Sequence, residues 1–127
     1  FHLTTEAYRI ILGDNSSTDA YIKIDWTVTS DKRDKTEFKE IPLGLDFVNK
    51  LKPTEYQFRK NRDTEETDGI KRYGFLAQDI LELEGDDPVI IDNEQENSLK
   101  YKQSHLVPVL VKAIQELKAE IELLKSK

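Results

Sequence analysis

Cysteine is missing from this 127-residue chain, which excludes disulfides and thiolate metal sites and leaves the redox compartment undetermined. The five glycines are scattered, so no glycine-rich loop is available to cradle a phosphate. No apolar run approaches the ~20 residues that span a bilayer. Basic residues form no block either. The 19 Lys and Arg are interleaved with 25 Asp and Glu for a net charge of −6, which gives recognition of a phosphate backbone little support. The expectation is a protein with no nucleic acid and no membrane as partner, no metal and no other cofactor.

What is present is charge in near-equal measure with apolar side chains: 35% charged against 37% hydrophobic. The length fits one domain, or a small domain with an appended helix. A chain of this size buries only a modest share of its surface. So lean an apolar content therefore suits an elongated or oligomeric protein better than a compact monomer. Opening on Phe1, the chain reads as a piece of a longer polypeptide.

Residues 8–12 and 20–28 predict two strands. In the second, Tyr21, Lys23, Asp25 and Thr27 alternate with Ile22, Ile24, Trp26 and Val28, a period of two. Residues 13–19 between them are rich in turn formers, which predicts a hairpin. A charged stretch covers 30–40. Pro42 is placed to open a helix over about 43–52, with Leu43, Phe47 and Leu51 at i, i+4 and i+8, and Pro53 ends it because the residue before proline avoids the α region. Residues 54–59 alternate as a strand, and 60–69 form a polar loop with nothing to bury, expected to be mobile. Tyr73 to Ala77 are expected to re-enter the core. A short helix follows over about 76–84, with Leu76, Ile80 and Leu83 on one face, until Gly85 and Pro88 break it. Residues 89–91 and 98–101 predict a second hairpin around an acidic turn.

The last helix is predicted from about 103 to 127. Leu110, Ile114, Leu117, Ile121 and Leu124 step by 4, 3, 4 and 3, a heptad seam flanked by the charged Lys118, Glu120 and Lys125. With little else in its own chain to pack against, that seam asks for partner helices. The fold class expected is α+β, small strands and short helices followed by a long C-terminal helix.

Four segments carry, in order, the motifs of one known family. The family pattern Ser-Asp-x-Arg-x-Lys is met by Ser30, Asp31, Arg33 and Lys35. Leu-x-Pro-x-x-Tyr-x-Phe is met by Leu51, Pro53, Tyr56 and Phe58. The glycine–phenylalanine motif is met by residues 74–79, Gly74 to Asp79. The C-terminal motif is met by Tyr101, Leu106, Val107, Pro108, Leu110, Val111, Ala113, Ile114, Glu116 and Leu117. Each motif alone is weak and the ordered set is strong: it resembles the C-terminal intramolecular chaperone and self-cleaving peptidase domain (endosialidase type) of phage tail spikes, tail fibres and neck appendages, a relative of which occurs in the myelin regulatory factor. The resemblance covers roughly 30–127, leaving 1–29 as the end of an upstream fibre or appendage region. Asp34 departs from the leucine common at that position, and a carboxylate beside Lys35 is expected to hold the amine protonated and slow the reaction.

The resemblance implies a parallel homotrimer that templates the folding of the β-rich stalk upstream of it in the same polypeptide. It implies a virion-component precursor folded in the host cytoplasm, whose chaperone fragment is released by cleavage between Thr29 and Ser30. Ser30 would be the nucleophile and Lys35 the general base of an autocatalytic serine endopeptidase with a single intramolecular turnover. Asp31 and Arg33 would be supporting residues, with Gln78 placed to orient the scissile region or donate to the oxyanion. The trimer rests on the resemblance, because Ile and Leu alternating in a parallel seam more often favour two strands.

The chemistry is coherent. The Ser30 hydroxyl lies one residue after the carbonyl it must attack, so attack closes a five-membered ring with a large gain from proximity. A lysine accepts the proton only when neutral, and a free amine titrates near ~10.4, so burial or cationic neighbours such as Lys32 and Arg33 must act on it, against Asp31 and Asp34. Five extended residues span roughly 16 Å, so Ser30 and Lys35 can meet only through a turn or across subunits. Plainer readings stand beside these. Ser30 and Asp31 could cap a helix, and Gln78 could bond backbone at a helix start. His105 reads as a first-turn residue and His2 has no assigned role. Glu82, Glu84, Asp86 and Asp87 lack calcium-loop spacing and read as solvated surface. Two other functions compete: a non-cleaving trimerisation or receptor-contact tip of a fibre, and a regulator whose cleavage frees an upstream DNA-binding fragment from a membrane.

Overall fold

The computed structural model describes residues 3–6 and 8–127, with side chains from Tyr8 onward; His2 lies outside them. The chain divides into two compact units, Phe1–Phe38 and Lys39–Lys127. Small strands, short helices and one long C-terminal helix make an α+β protein.

In the first unit β1 (Leu3–Glu6) pairs antiparallel with β2 (Arg9–Leu12), Leu3 opposite Leu12 and Glu6 opposite Arg9. Tyr8 takes φ 66 in the reversal. The expected pairing of 8–12 with 20–28 is therefore corrected: β2 turns back on the residues before it, and 20–28 form no strand. The predicted turn exists, with Asp14 Oδ1 accepting from Ser16 N and Ser17 N donating to the Asp14 carbonyl. It simply does not return the chain to β2, and period-two alternation makes a strand only where a partner supplies the ladder. After Trp26 and Val28, both exposed, a single 3₁₀ turn covers Lys32–Asp34.

The second unit holds the core. Helix α1 (Leu45–Lys50) has Gly44 at its N-cap, starts two residues later than the sequence suggests, and stops at Leu51, which is extended before Lys52 and Pro53. Strand β3 (Thr54–Tyr56) pairs antiparallel with β4 (Arg72–Gly74). The intervening loop, which has nothing to bury, is crossed by hydrogen bonds. Lys60 N donates to the Glu66 carbonyl at 2.9 Å and Asp68 N to the Phe58 carbonyl at 3.0 Å, and Arg59 bridges Thr67. Asn61 and Thr64 side chains each accept a backbone N–H two residues on, so turn chemistry shapes the segment. Tyr73 is 85% exposed, so the return to the core begins at Phe75 and not at Tyr73; Gly74 instead lets the Tyr56 ring lie across β4.

Helix α2 (Ala77–Glu84) ends at Gly85, whose φ of 81 suits only glycine well. Strands β5 (Ile91–Asp92) and β6 (Lys100–Tyr101) form the second hairpin, as predicted but shorter. Helix α3 (Gln103–Lys125) closes the chain. Its Leu106 and Val109 bury against Phe47, Ile80, Ile90 and Ile91, with Leu43, Leu51, Phe75, Leu83 and Tyr101 packed around them. The 41–44 segment is pinned to α3: the Lys112 ammonium donates to the Ile41 carbonyl, and a Cβ at Gly44 would run into the Glu116 carboxylate.

Candidate functional site

The run from Ser30 to Lys35 folds back on itself. Asp34 N donates to the Asp31 carbonyl at 3.0 Å and Lys35 N to the Lys32 carbonyl at 3.1 Å. Those two bonds wind the 3₁₀ turn, and Lys35 leaves it in an extended conformation. The reversal brings Lys35 Nζ to 2.6 Å from Ser30 Oγ, with the ammonium donating. A contact that the extended chain forbids is thus made within one chain, through a turn. Ser30 and Lys35 are both exposed.

Asp31 caps the turn. Its Oδ1 accepts from Arg33 N at 2.8 Å and from Arg33 Nε at 3.1 Å, and its Oδ2 accepts from Arg33 Nη2 at 2.8 Å. The Arg33 guanidinium, and then the Arg33 backbone N–H, hold the Asp31 carboxyl below the usual carboxylate range, and the same pairing raises Arg33 further. The capping reading of Asp31 and its place beside Ser30 are thus satisfied together. The Lys32 ammonium lies 5.9 Å from the centre of the Phe38 ring, a cation–π contact.

Gln78 belongs to the second unit, exposed in the first turn of α2. With Arg62, Ala77, Glu96, Asn97 and Leu99 it lines a cavity of about 350 Å³, across which Arg62 donates to the Asn97 carbonyl at 2.6 Å. His105 sits in the first turn of α3, where its N–H donates to the Lys102 carbonyl. Of the acidic residues read as solvated, Glu84 is corrected: its carboxylate accepts from the backbone N–H groups of Val89, Ile90 and Ile91, each at 2.9 Å. The spacing of a helix-terminal Glu five residues before an apolar triplet was the only signal for it. The seam residues Leu110, Ile114, Leu117, Ile121 and Leu124 are all exposed.

The family model described as chaperone of endosialidase matches residues 30–88. That segment is similar to the endosialidase-type chaperone domain. The match opens on Ser30, the residue that Lys35 contacts, and closes on Pro88, so the α3 motif lies beyond it. No curated protein and no solved structure matches the chain at a significant level. The name of that family model also marks it as a peptidase.

Proposed function

We propose that this protein is a C-terminal intramolecular chaperone which assembles as a parallel homotrimer, templates the folding of a phage fibre, tail-spike or appendage stalk, and then releases itself by cutting the bond between Thr29 and Ser30. The observation that carries the reading is the 2.6 Å contact of Lys35 Nζ with Ser30 Oγ, at the first residue of the family match.

The reaction needs no substrate pocket, because the target carbonyl precedes the nucleophile. With the amine neutral, the hydrogen bond reverses and the hydroxyl donates to Lys35 Nζ. Ser30 Oγ then bonds to the Thr29 carbonyl carbon as Lys35 takes the proton. Collapse of the tetrahedral species breaks the C–N bond, Lys35 returns the proton to the leaving amine, and an ester joins Thr29 to Ser30. Water hydrolyses that ester to a Thr29 carboxylate, restoring the Ser30 hydroxyl. Gln78 is the side chain proposed to orient the scissile region or donate to the oxyanion. Desolvation disfavours the charged form of a lysine, and Ser30 and Lys35 are exposed in the single chain. Covering by neighbouring copies is therefore the event proposed to start the cut.

The exposed seam supports assembly. Leu106, Val109 and Ala113 face the core, while Leu110 and Ile114, one residue on from Val109 and Ala113, stay outside. Three such helices in register at the C-terminus would align three chains and lower the entropic cost of winding the stalk. Once residues 30–127 depart, the stalk has lost its template and is kinetically trapped. Folding in the host cytoplasm as a virion precursor completes the proposal.

Intact mass under denaturing conditions tests it on the chain with its upstream sequence. The native protein should yield a fragment beginning at Ser30, while Ser30→Ala and Lys35→Ala stay whole. Intact native protein that sediments as a trimer would remove the peptidase reading and leave an assembly module.

A further inference from the structure

We infer that Asp31 and Arg33 are positioning residues whose paired side chains hold the one turn that closes Lys35 onto Ser30. The inference rests on the reading of Ser30 as nucleophile and adds a role that charge alone does not supply.

A lone turn is a poor structure. It fixes several backbone angles for two hydrogen bonds, and nucleation of that kind is unfavourable in water. Packing gives no help, since none of the residues of the 32–34 turn is buried. What remains is local chemistry, and it converges on one carboxylate. Asp31, extended at φ −66 and ψ 130, turns its side chain onto the Arg33 N–H that a helix start leaves without a partner. The same carboxylate then takes the flat edge of the Arg33 guanidinium, Nε on one oxygen and Nη2 on the other, a fork that lysine cannot reproduce. Backbone and side chain of Arg33 are thus tied to a single residue, and Ser30 and Lys35 flank the closed loop on either side.

This arrangement separates two roles for Arg33. As a bare cation near Lys35 it would act by repulsion, and any cation in its place would serve. As one half of a fork it acts through geometry, and Arg33→Lys should fail although the charge is kept. The Asp31 cap separates likewise: Asp31→Asn retains an oxygen for the Arg33 N–H, whereas Asp31→Ala retains nothing.

The experiment has two arms on the chain with its upstream sequence. In the first, cleavage is timed by intact mass across pH for the native protein, Asp31→Ala, Asp31→Asn and Arg33→Lys. Asp31→Ala should be about tenfold slower, with Asp31→Asn recovering part of that loss, and Arg33→Lys about threefold slower, all with the pH midpoint of the native protein. A shifted midpoint in Asp31→Asn, or an unchanged rate in Arg33→Lys, would overturn the positioning role in favour of a charge effect. In the second arm, nuclear Overhauser contacts between the Ser30 Cβ protons and the Lys35 Cε protons are recorded in the native chain and in Asp31→Ala. They should be present in the first and lost in the second, and their persistence in Asp31→Ala would overturn the inference. Absence of cleavage in the native protein would sink the peptidase reading alone, because the second arm reads the turn whether or not the bond is cut.

Discussion

At the scale of single residues, two carboxylates do more than solvate the surface. Asp31 closes the turn beside Ser30, and Glu84 ties the end of α2 to three successive backbone N–H groups of the segment that leads into β5. Glu84→Gln leaves one acceptor oxygen and turns an NH₂ group toward donors, so at least one N–H of a part-buried backbone loses its partner. Because charged acceptors bind backbone more strongly than neutral ones, the substitution should destabilise the second unit by about 2–3 kcal/mol, measured as a lower urea midpoint with an unchanged slope. The residues of the candidate site were legible from spacing and family motif, since Ser30, Asp31, Arg33 and Lys35 are close in sequence. Glu84 was not, because its partners are backbone groups, and its spacing before the apolar triplet 89–91 is too common a pattern to mark them.

At the scale of elements, α3 carries two stripes side by side. One buries Leu106, Val109 and Ala113 at 4%, 3% and 4% exposure, and the other leaves Ile114 and Leu124 at 66% and 67%. Replacing Ile114 and Leu117 together with Glu should therefore leave the monomer folded while abolishing assembly, read by sedimentation and circular dichroism on the same sample. Leu106→Ala should do the reverse, costing about 2–5 kcal/mol of fold stability. The helix itself was readable from its heptads, and α2 from its apolar face and Gly85. The short strands were readable as segments but not as pairs. β2 found its partner upstream instead of in 20–28, because alternation marks a surface and says nothing of which neighbour will cover it.

At the scale of the whole molecule, the buried core among the described residues is small, while Trp26, Tyr21, Ile24 and the α3 seam lie in the open. Exposed apolar surface on that scale marks interaction sites, which agrees with the proposed assembly. The second unit also has a charge-coupled stability profile. Burial raises the Tyr101 hydroxyl above its ordinary value, so its contribution is fully present below the unfolded pKa and is lost as pH rises through the folded one. Asp68 is lowered, first by the Ile70 N–H and then by Arg72, so its contribution is present above the unfolded carboxylate range and lost as pH falls through the folded pKa. Thermal melts should accordingly show a fall above about pH 10 that Tyr101→Phe removes, the ring still meeting Phe75 edge-on at 5.9 Å. By itself the sequence determined the α+β class, the long helix with its seam and the family resemblance of residues 30–88, and it brought Ser30 and Lys35 to notice as a pair, all from local periodicity or from short motifs. Only the tertiary structure decided which strands pair, that 60–69 is hydrogen-bonded, that Glu84 and Lys112 hold backbone, and that a single capped turn carries Lys35 to Ser30. Those depend on where groups distant or conformationally free in the chain come to rest, and no residue pattern encodes that directly.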